Sequence, residues 1–466
     1  MAMKCSNHDD IKEDIGKVWP QIIAILTGCL MSLQNGLQFA WTSPFFVELT
    51  RDKVNYNITE EQASLFTTLP PIVQIISCPL FSWMCDAVGR KVTLLVSAVP
   101  YILSWILKAF ATDVYTFYAA RCLTGLGVCA TVAALSMYIG EIATPKVRSF
   151  WGNFMSIAIS LGQFLINLIG FHFNVRQTSY ICLAPAFIFV FTFPLMQESP
   201  YYLLMKGKED AARQSLKKLT LKKDIEPDFL QLKVDVKRQM SEKGTWRDLA
   251  CVAANRKALI AGVLMRCAQQ FCGAAALGSY TRYIFEESLG DSETSTLIFS
   301  GVYVIMTVIA GFTIDHLGRK KSFIMSMFLS ATCLLALSGF YYVEQFQLQV
   351  DVSGFLWAPL AGMMAYIIFS SFGVINVPTI MLGELFSTPV KAKGMTILLG
   401  VMGLMMSLTN YLFFWLSVSY GMFCPFLVFS VVSIALTVVC LYVIPETRGK
   451  TLEEIQQILS GNVQHK

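Results

Sequence analysis

Charge is scarce in this sequence. Only 14% of the 466 residues are Asp, Glu, Lys or Arg, against about 25% in a soluble domain. Histidine is scarcer still. His8, His172, His316 and His465 are scattered, and none has a partner at metal-ligand spacing. No nucleophile–base pair, phosphate-binding loop or metal set appears, which argues against an enzyme, and no cofactor is implied. The 13 cysteines do not make a disulfide framework. Most lie inside apolar runs (Cys29, Cys78, Cys122, Cys129, Cys182), where a thiol behaves as a small hydrophobe. The opening Met-Ala-Met-Lys-Cys and the polar stretch to Lys17 lack a cleavable signal pattern. The first apolar run is therefore expected to direct insertion itself.

What the chain has instead is apolar length. It is 55% hydrophobic, with mean hydropathy +0.56, and many runs reach the roughly 20 residues that span a bilayer. The expected fold class is an all-α polytopic membrane protein. Twelve spans are read, at about 19–47, 62–85, 92–111, 114–140, 150–172, 179–197, 257–286, 294–315, 322–342, 354–384, 393–418 and 421–444. Both termini then share a side. Of 36 Lys and Arg, 29 fall in the termini and even-numbered loops. Arg51, Lys53, Lys108, Arg176 and Arg282 fall near the other side, and Arg121 and Arg266 lie within helices. The positive-inside rule makes both termini cytoplasmic, in the plasma membrane. The net charge of +5 reflects these basic loops, so no nucleic-acid partner is implied. Asn57-Ile58-Thr59 is a glycosylation triplet on the outer side.

The chain is one half written twice. Asp86-Ala-Val-Gly-Arg-Lys91 returns as Asp315-His-Leu-Gly-Arg-Lys320. Gly140-Glu141 with Arg148 is matched by Gly383-Glu384 with Lys391. Glu198-Ser199-Pro200 is matched by Pro445-Glu446-Thr447. This divides the chain into a tail (1–18), a six-helix half (19–197), a linker (198–256), a second six-helix half (257–444) and a tail (445–466). In the linker, Lys208–Leu219 and Pro227–Met240 read as amphipathic helices. They form either a flexible tether or a cytoplasmic helical layer against the helix ends, the second being preferred. Thr451–Leu459 is a shorter piece of the same kind.

The paired Asp-x-x-Gly-Arg-Lys loops resemble the signature of the major facilitator superfamily. Tyr138, Glu141 and Arg148, Gln197-Glu198-Ser199-Pro200, Gln269-Gln270, Gly383-Glu384-Leu385-Phe386 and Pro445-Glu446-Thr447-Arg448-Gly449 together resemble the sugar porter family. Ala40-Trp41-Thr42-Ser43-Pro44 and the short outer loops look most like the insect facilitated trehalose transporters. The resemblance covers about residues 19–458. It implies the major facilitator fold and alternating access.

Asp86, Arg90, Glu141, Arg148, Asp315, Arg319, Glu384 and Lys391 sit where helices meet the cytoplasm. Flanking positive charge explains the basic groups but not four acids at matched positions, since acids contribute little to orientation. The resemblance implies ion pairs across the halves that close the inner face. Lys391 stands where most relatives have Arg, and it lacks the bidentate fork.

In such folds the ligand sits near the midplane on broken helices. Span seven offers Gln269-Gln270, with Gly273 and Gly278 to let it bend, and then Tyr280. Side-chain amides both donate and accept, which suits sugar hydroxyls. Interhelical bonding is the alternative reading, and the resemblance implies substrate contact. Elsewhere the match fails. Ser156, Ala275, Tyr303, Thr379 and Met402-Gly403 stand where the family has amides or indoles. Ser156 and Thr379 are kept as candidate contacts in a remodelled site. Arg266 lies about nine residues into span seven, facing a cavity or snorkelling to the inner surface.

Proton symporters of the family carry an Asp in span one. This span has no acid, Leu37 being taken as the aligned residue, and no Asp or Glu lies mid-membrane. Proton relays need such groups. The reading is a facilitative uniporter of a sugar such as trehalose or glucose, functioning as a monomer. The alternatives are a non-transporting sugar sensor and a transporter of another small neutral polyol.

Overall fold

The computed structural model describes residues 8–222, 224–241, 244–286, 292–346, 357–387 and 390–447, with 454, 455 and 458. Among these, short polar side chains start several membrane helices. Thr59 and Gln62 form a reciprocal capping box at Glu60–Ala87, Asp113 caps Val114–Ile142, and Asn174 caps Val175–Thr192. Each satisfies backbone N–H groups that the first helical turn leaves unpaired.

Among the described residues, eleven helices are long and apolar enough to cross a membrane. Six lie in the first half: Val18–Arg51, Glu60–Ala87, Arg90–Phe110, Val114–Ile142, Phe154–His172 and Val175–Leu195. Five lie in the second: Ala253–Ser279, Ser292–Gly311, Arg319–Phe346, Lys393–Tyr420 and Phe423–Val443. The missing member is span ten. It was expected to be continuous, and it is broken into Ala358–Ser371 and Val377–Leu385. Gly373 lies so close to the Ser322 carbonyl that no Cβ would fit between them. Ser326 Oγ accepts from the Val374 N–H at 3.0 Å and donates to the Phe369 carbonyl at 2.7 Å. The polar groups freed by the break are thus met inside protein, as a membrane interior requires.

The duplication shows in the packing. In the first half span one packs on five, two and three on four, and three on six; in the second, seven packs on eleven, eight and nine on ten, and nine on twelve. The halves meet through span two on eleven and span five on eight, which are the same pair under the repeat. One end of the bundle carries the loop 52–59, called here the first-loop face. The other carries the segment 196–252, the linker face. That segment contains Glu209–Thr220 and Glu226–Ser241, close to the two amphipathic helices expected. It also holds Pro200–Met205 and Trp246–Cys251, which were not anticipated. Most of Thr451–Leu459 lies outside the described residues.

Candidate functional site

The repeated motifs at the linker face have a backbone rationale. Gly89 and Gly318 adopt φ +113° and +88°, where a side chain would be strained. Each turn starts a helix, at Arg90 and at Arg319. The Glu198 carboxylate accepts from the Lys91 N–H at 3.1 and 3.2 Å. In the second half the Glu446 carboxylate accepts from the N–H groups of Arg319 (3.1 Å) and Lys320 (3.3 Å). Each Pro-Glu or Glu-Ser motif therefore places an anion on a helix N-terminus of its own half. Burial pushes the Glu198 carboxyl above its ordinary value, against these bonds.

The first-half charges also pair within their half. Arg90 donates through Nε and Nη2 to Glu141 Oε1 at 3.0 and 2.9 Å, and lies 3.3 Å from Asp86. Ser199 Oγ donates to the other Glu141 oxygen. Arg148 is exposed and donates to the Gly140 carbonyl at 3.3 Å. These contacts correct the expectation of cross-half pairing for Arg90 and Glu141. Lys391 is half-buried at a helix start. The side chains of Asp315 and Glu384 lie outside the described residues.

Polar contacts between the halves gather at the first-loop face. Tyr280 and Thr67 share a hydrogen bond of 3.0 Å. Asn410 donates to the Thr67 carbonyl at 3.2 Å, and Ser407 to that of Thr68 at 3.0 Å. Arg282 donates to the Pro44 carbonyl at 2.9 Å, and Arg51 meets Glu286 at 2.5 Å. Phe413 stacks on Tyr280 at 5.3 Å, and Phe46 meets it edge-on at 5.5 Å. Tyr280 is fully buried in this seal and does not line the central cavity, which corrects its assignment as a sugar contact. Asn57 is exposed, with φ +44°.

Span seven is broken beside the cavity. Ala253–Phe271 ends before Gly273, whose φ of +87° resets the chain into Ala274–Ser279. Gly278 lies within this short helix, so it is not a second hinge; the next break falls at Tyr280. The cavity here has a volume of about 140 Å³. Its polar walls are Gln163 of span five, Gln269 and Gln270 of span seven, Tyr303 of span eight and Tyr366 of span ten; Phe39, Phe299 and Ala275 add apolar surface.

The two adjacent amides differ. Gln269 donates to the Ile375 carbonyl at 2.8 Å, at the break in span ten, and accepts from Arg266 at 2.7 Å. It is engaged within the second half. Gln270 is buried, and its Oε1 has no hydrogen-bond partner. Arg266 is buried beside Gln269, with Thr379 Oγ1 at 3.5 Å, and it is not among the cavity walls. Thr379 is exposed and Ser156 half-buried, and neither lines the cavity. The span-five group that does so is Gln163, which the sequence reading missed. In span one the residue meeting the buried Arg121 is Gln38, through its carbonyl at 2.6 Å, and not Leu37. Lys108, counted as an outer-side charge, is fully buried and donates to Gln38 Oε1.

A family model described as "Sugar (and other) transporter" matches residues 22–459. The facilitated trehalose transporter of Aedes aegypti is 30% identical over 454 residues. That match covers 96% of this chain, which spans only 56% of that relative. A facilitated trehalose transporter homolog of Drosophila simulans is also 30% identical, with 95% of this chain and 91% of that one covered. Among solved structures, the inward-open xylose transporter of E. coli superposes with TM-score 0.76 at 21% identity, covering 93% of this chain and 98% of that one.

Proposed function

Because the chain belongs to the sugar (and other) transporter family, we propose that it carries trehalose or a closely similar neutral sugar down its gradient by alternating access. The observation that carries this is Gln270. An amide oxygen in a cavity between the halves, buried and without a partner, is costly unless a donor arrives. A sugar hydroxyl is such a donor, and Gln163 across the cavity offers a second amide from the other half. Contact with both halves couples binding to their relative motion. Phe39 and Phe299 give apolar faces for the sugar ring to lie on.

The first-loop seal holds the halves together on that side, as alternating access requires when the linker face admits the sugar. We assign the linker face to the cytoplasm, since 29 of 36 basic residues lie there, with both termini cytoplasmic in a plasma-membrane protein. The domain division at 198 and 256 follows, with the linker helices forming a cytoplasmic layer. The reading of passive transport rests on Gln38. Arg121 meets the main-chain carbonyl of Gln38, and the side chain there is an amide held by Lys108 and Thr124, which exchanges no proton.

The test is uptake of a labelled sugar panel by the purified chain in liposomes. Trehalose or glucose uptake, weakened in affinity by both Gln163→Ala and Gln270→Ala, is the expected result. Binding without any uptake would replace the transporter reading with a sensor. In cells, a glycosidase-sensitive mobility shift abolished by Asn57→Gln supports the orientation. Cleavage of 206–243 by external protease would reverse it.

A further inference from the structure

The first half hides two cations with no acid beside them. Lys108 and Arg121 are 1% and 3% exposed. Arg121 donates from Nε to the Phe66 carbonyl and from Nη1 to the Gln38 carbonyl, both at 2.6 Å. Lys108 donates to Gln38 Oε1, which also accepts from Thr124 at 2.9 Å. The Lys108 ammonium lies 4.4 Å from the ring centre of Trp41 and 4.5 Å from that of Trp105, and the Arg121 guanidinium 5.7 Å from Trp41. Among the described residues, the partners of the two charges are neutral oxygens and rings.

Donors are in surplus here. With its oxygen held by Lys108 and Thr124, Gln38 must turn its amide NH₂ elsewhere, and that Nε2 is buried without an acceptor. The buried indole Nε1 of Trp41 also lacks one. Two charges and two orphan donors at membrane depth are costly without an acceptor. Arg121 opens this cluster to space. It lines a small cavity of about 40 Å³ together with Asn35, Gln74 and Thr124, and this shares the walls Phe39 and Met406 with the cavity at Gln270.

We propose that the compartment walled by Arg121, Asn35, Gln74 and Thr124 is an anion subsite, taking one compact monoanion, a halide or the carboxylate of a sugar acid. Arg121 supplies the direct contact. Lys108 adds its charge from behind, through Gln38, in surroundings that screen little. Asn35 and Gln74 supply neutral donors. The neutral sugar at Gln163 and Gln270 leaves this compartment free, so a bound halide accompanies it, whereas a sugar acid would reach both.

Thermal unfolding of the purified full-length protein tests this, with sodium HEPES as the background salt at constant ionic strength. Chloride or glucuronate, several-fold above its Kd, should raise Tm by about 2 °C, while glucose at the same concentration should add nothing at this subsite that chloride removes. A shift with chloride alone identifies an inorganic anion. A glucuronate shift that chloride competes away identifies a substrate carboxylate. Lys108→Met should weaken the shift. Gln38→Glu, which places a carboxylate between the two cations, should abolish it while keeping the fold. No shift with either anion overturns the proposal, as does a full shift persisting in Gln38→Glu.

Discussion

Gln269 and Gln270 are neighbours in sequence, and on a helix that separates their side chains by about 100°. One amide can face the cavity fully while the other turns into the protein, and that is the division found. Gln270→Ala should therefore weaken apparent sugar affinity roughly tenfold, as expected for one lost hydrogen bond of about 1.4 kcal/mol, with Tm little changed. Gln269→Ala removes the acceptor of the buried Arg266 and should destabilise by roughly 1–3 kcal/mol. Its first readout is a lowered Tm in detergent. Equal effects of the two variants on affinity and Tm would contradict this assignment. The same geometry explains what the sequence could not resolve. Ser156 and Gln163 are seven residues apart, two turns on one face, so an alignment slip of two turns leaves the pattern intact. Leu37 and Gln38 are adjacent, and only packing decides which meets Arg121.

At the level of elements, the repeats were legible because backbone needs enforce them. A glycine with positive φ at 89 and 318, and an acid on the following helix start, are residue-type demands. The partner of each charge was not legible, since a motif does not say which half it faces. The break at Gly273 could be anticipated from glycine, but Gly278 looked equal to it and is helical. What distinguishes them is the backbone path, which no spacing encodes. Gly273→Ala puts a Cβ 3.2 Å from Phe429 in a left-handed conformation that costs about 1–2 kcal/mol. It should lower Tm and slow transport, while Gly278→Ala, with only the side chains of Phe39 and Gln163 near, should do much less to Tm. Similar losses in both variants would mean that the bend at 273 is not special.

Across the whole molecule, the two halves are held together at the first-loop face by contacts that must break for it to open. Glu286 is the titratable part. Burial alone would raise its carboxyl, but hydrogen bonds from Ser292 and Arg51, with the charges of Arg51 and Arg282, outweigh burial and hold it below the ordinary value. A lowered carboxyl contributes its stabilisation above its free pKa and loses it as pH falls through the lowered one. Acidifying that side through this lowered value should loosen the seal. Labelling of Ser279→Cys by an impermeant maleimide, read at neutral pH because the thiolate is the reacting form, should rise when Glu286→Gln or Arg51→Ala is added. Labelling indifferent to both would remove Glu286 from the seal.

The central claim is passive sugar transport through a cavity shared by two repeated halves. Counterflow in liposomes tests it most directly. Vesicles loaded with unlabelled trehalose, containing the wild-type chain, should transiently accumulate external labelled trehalose at pH 6 and at pH 7.5 alike. An imposed proton gradient in sugar-free vesicles should produce no accumulation above equilibrium. Uphill accumulation driven by that gradient would contradict the account.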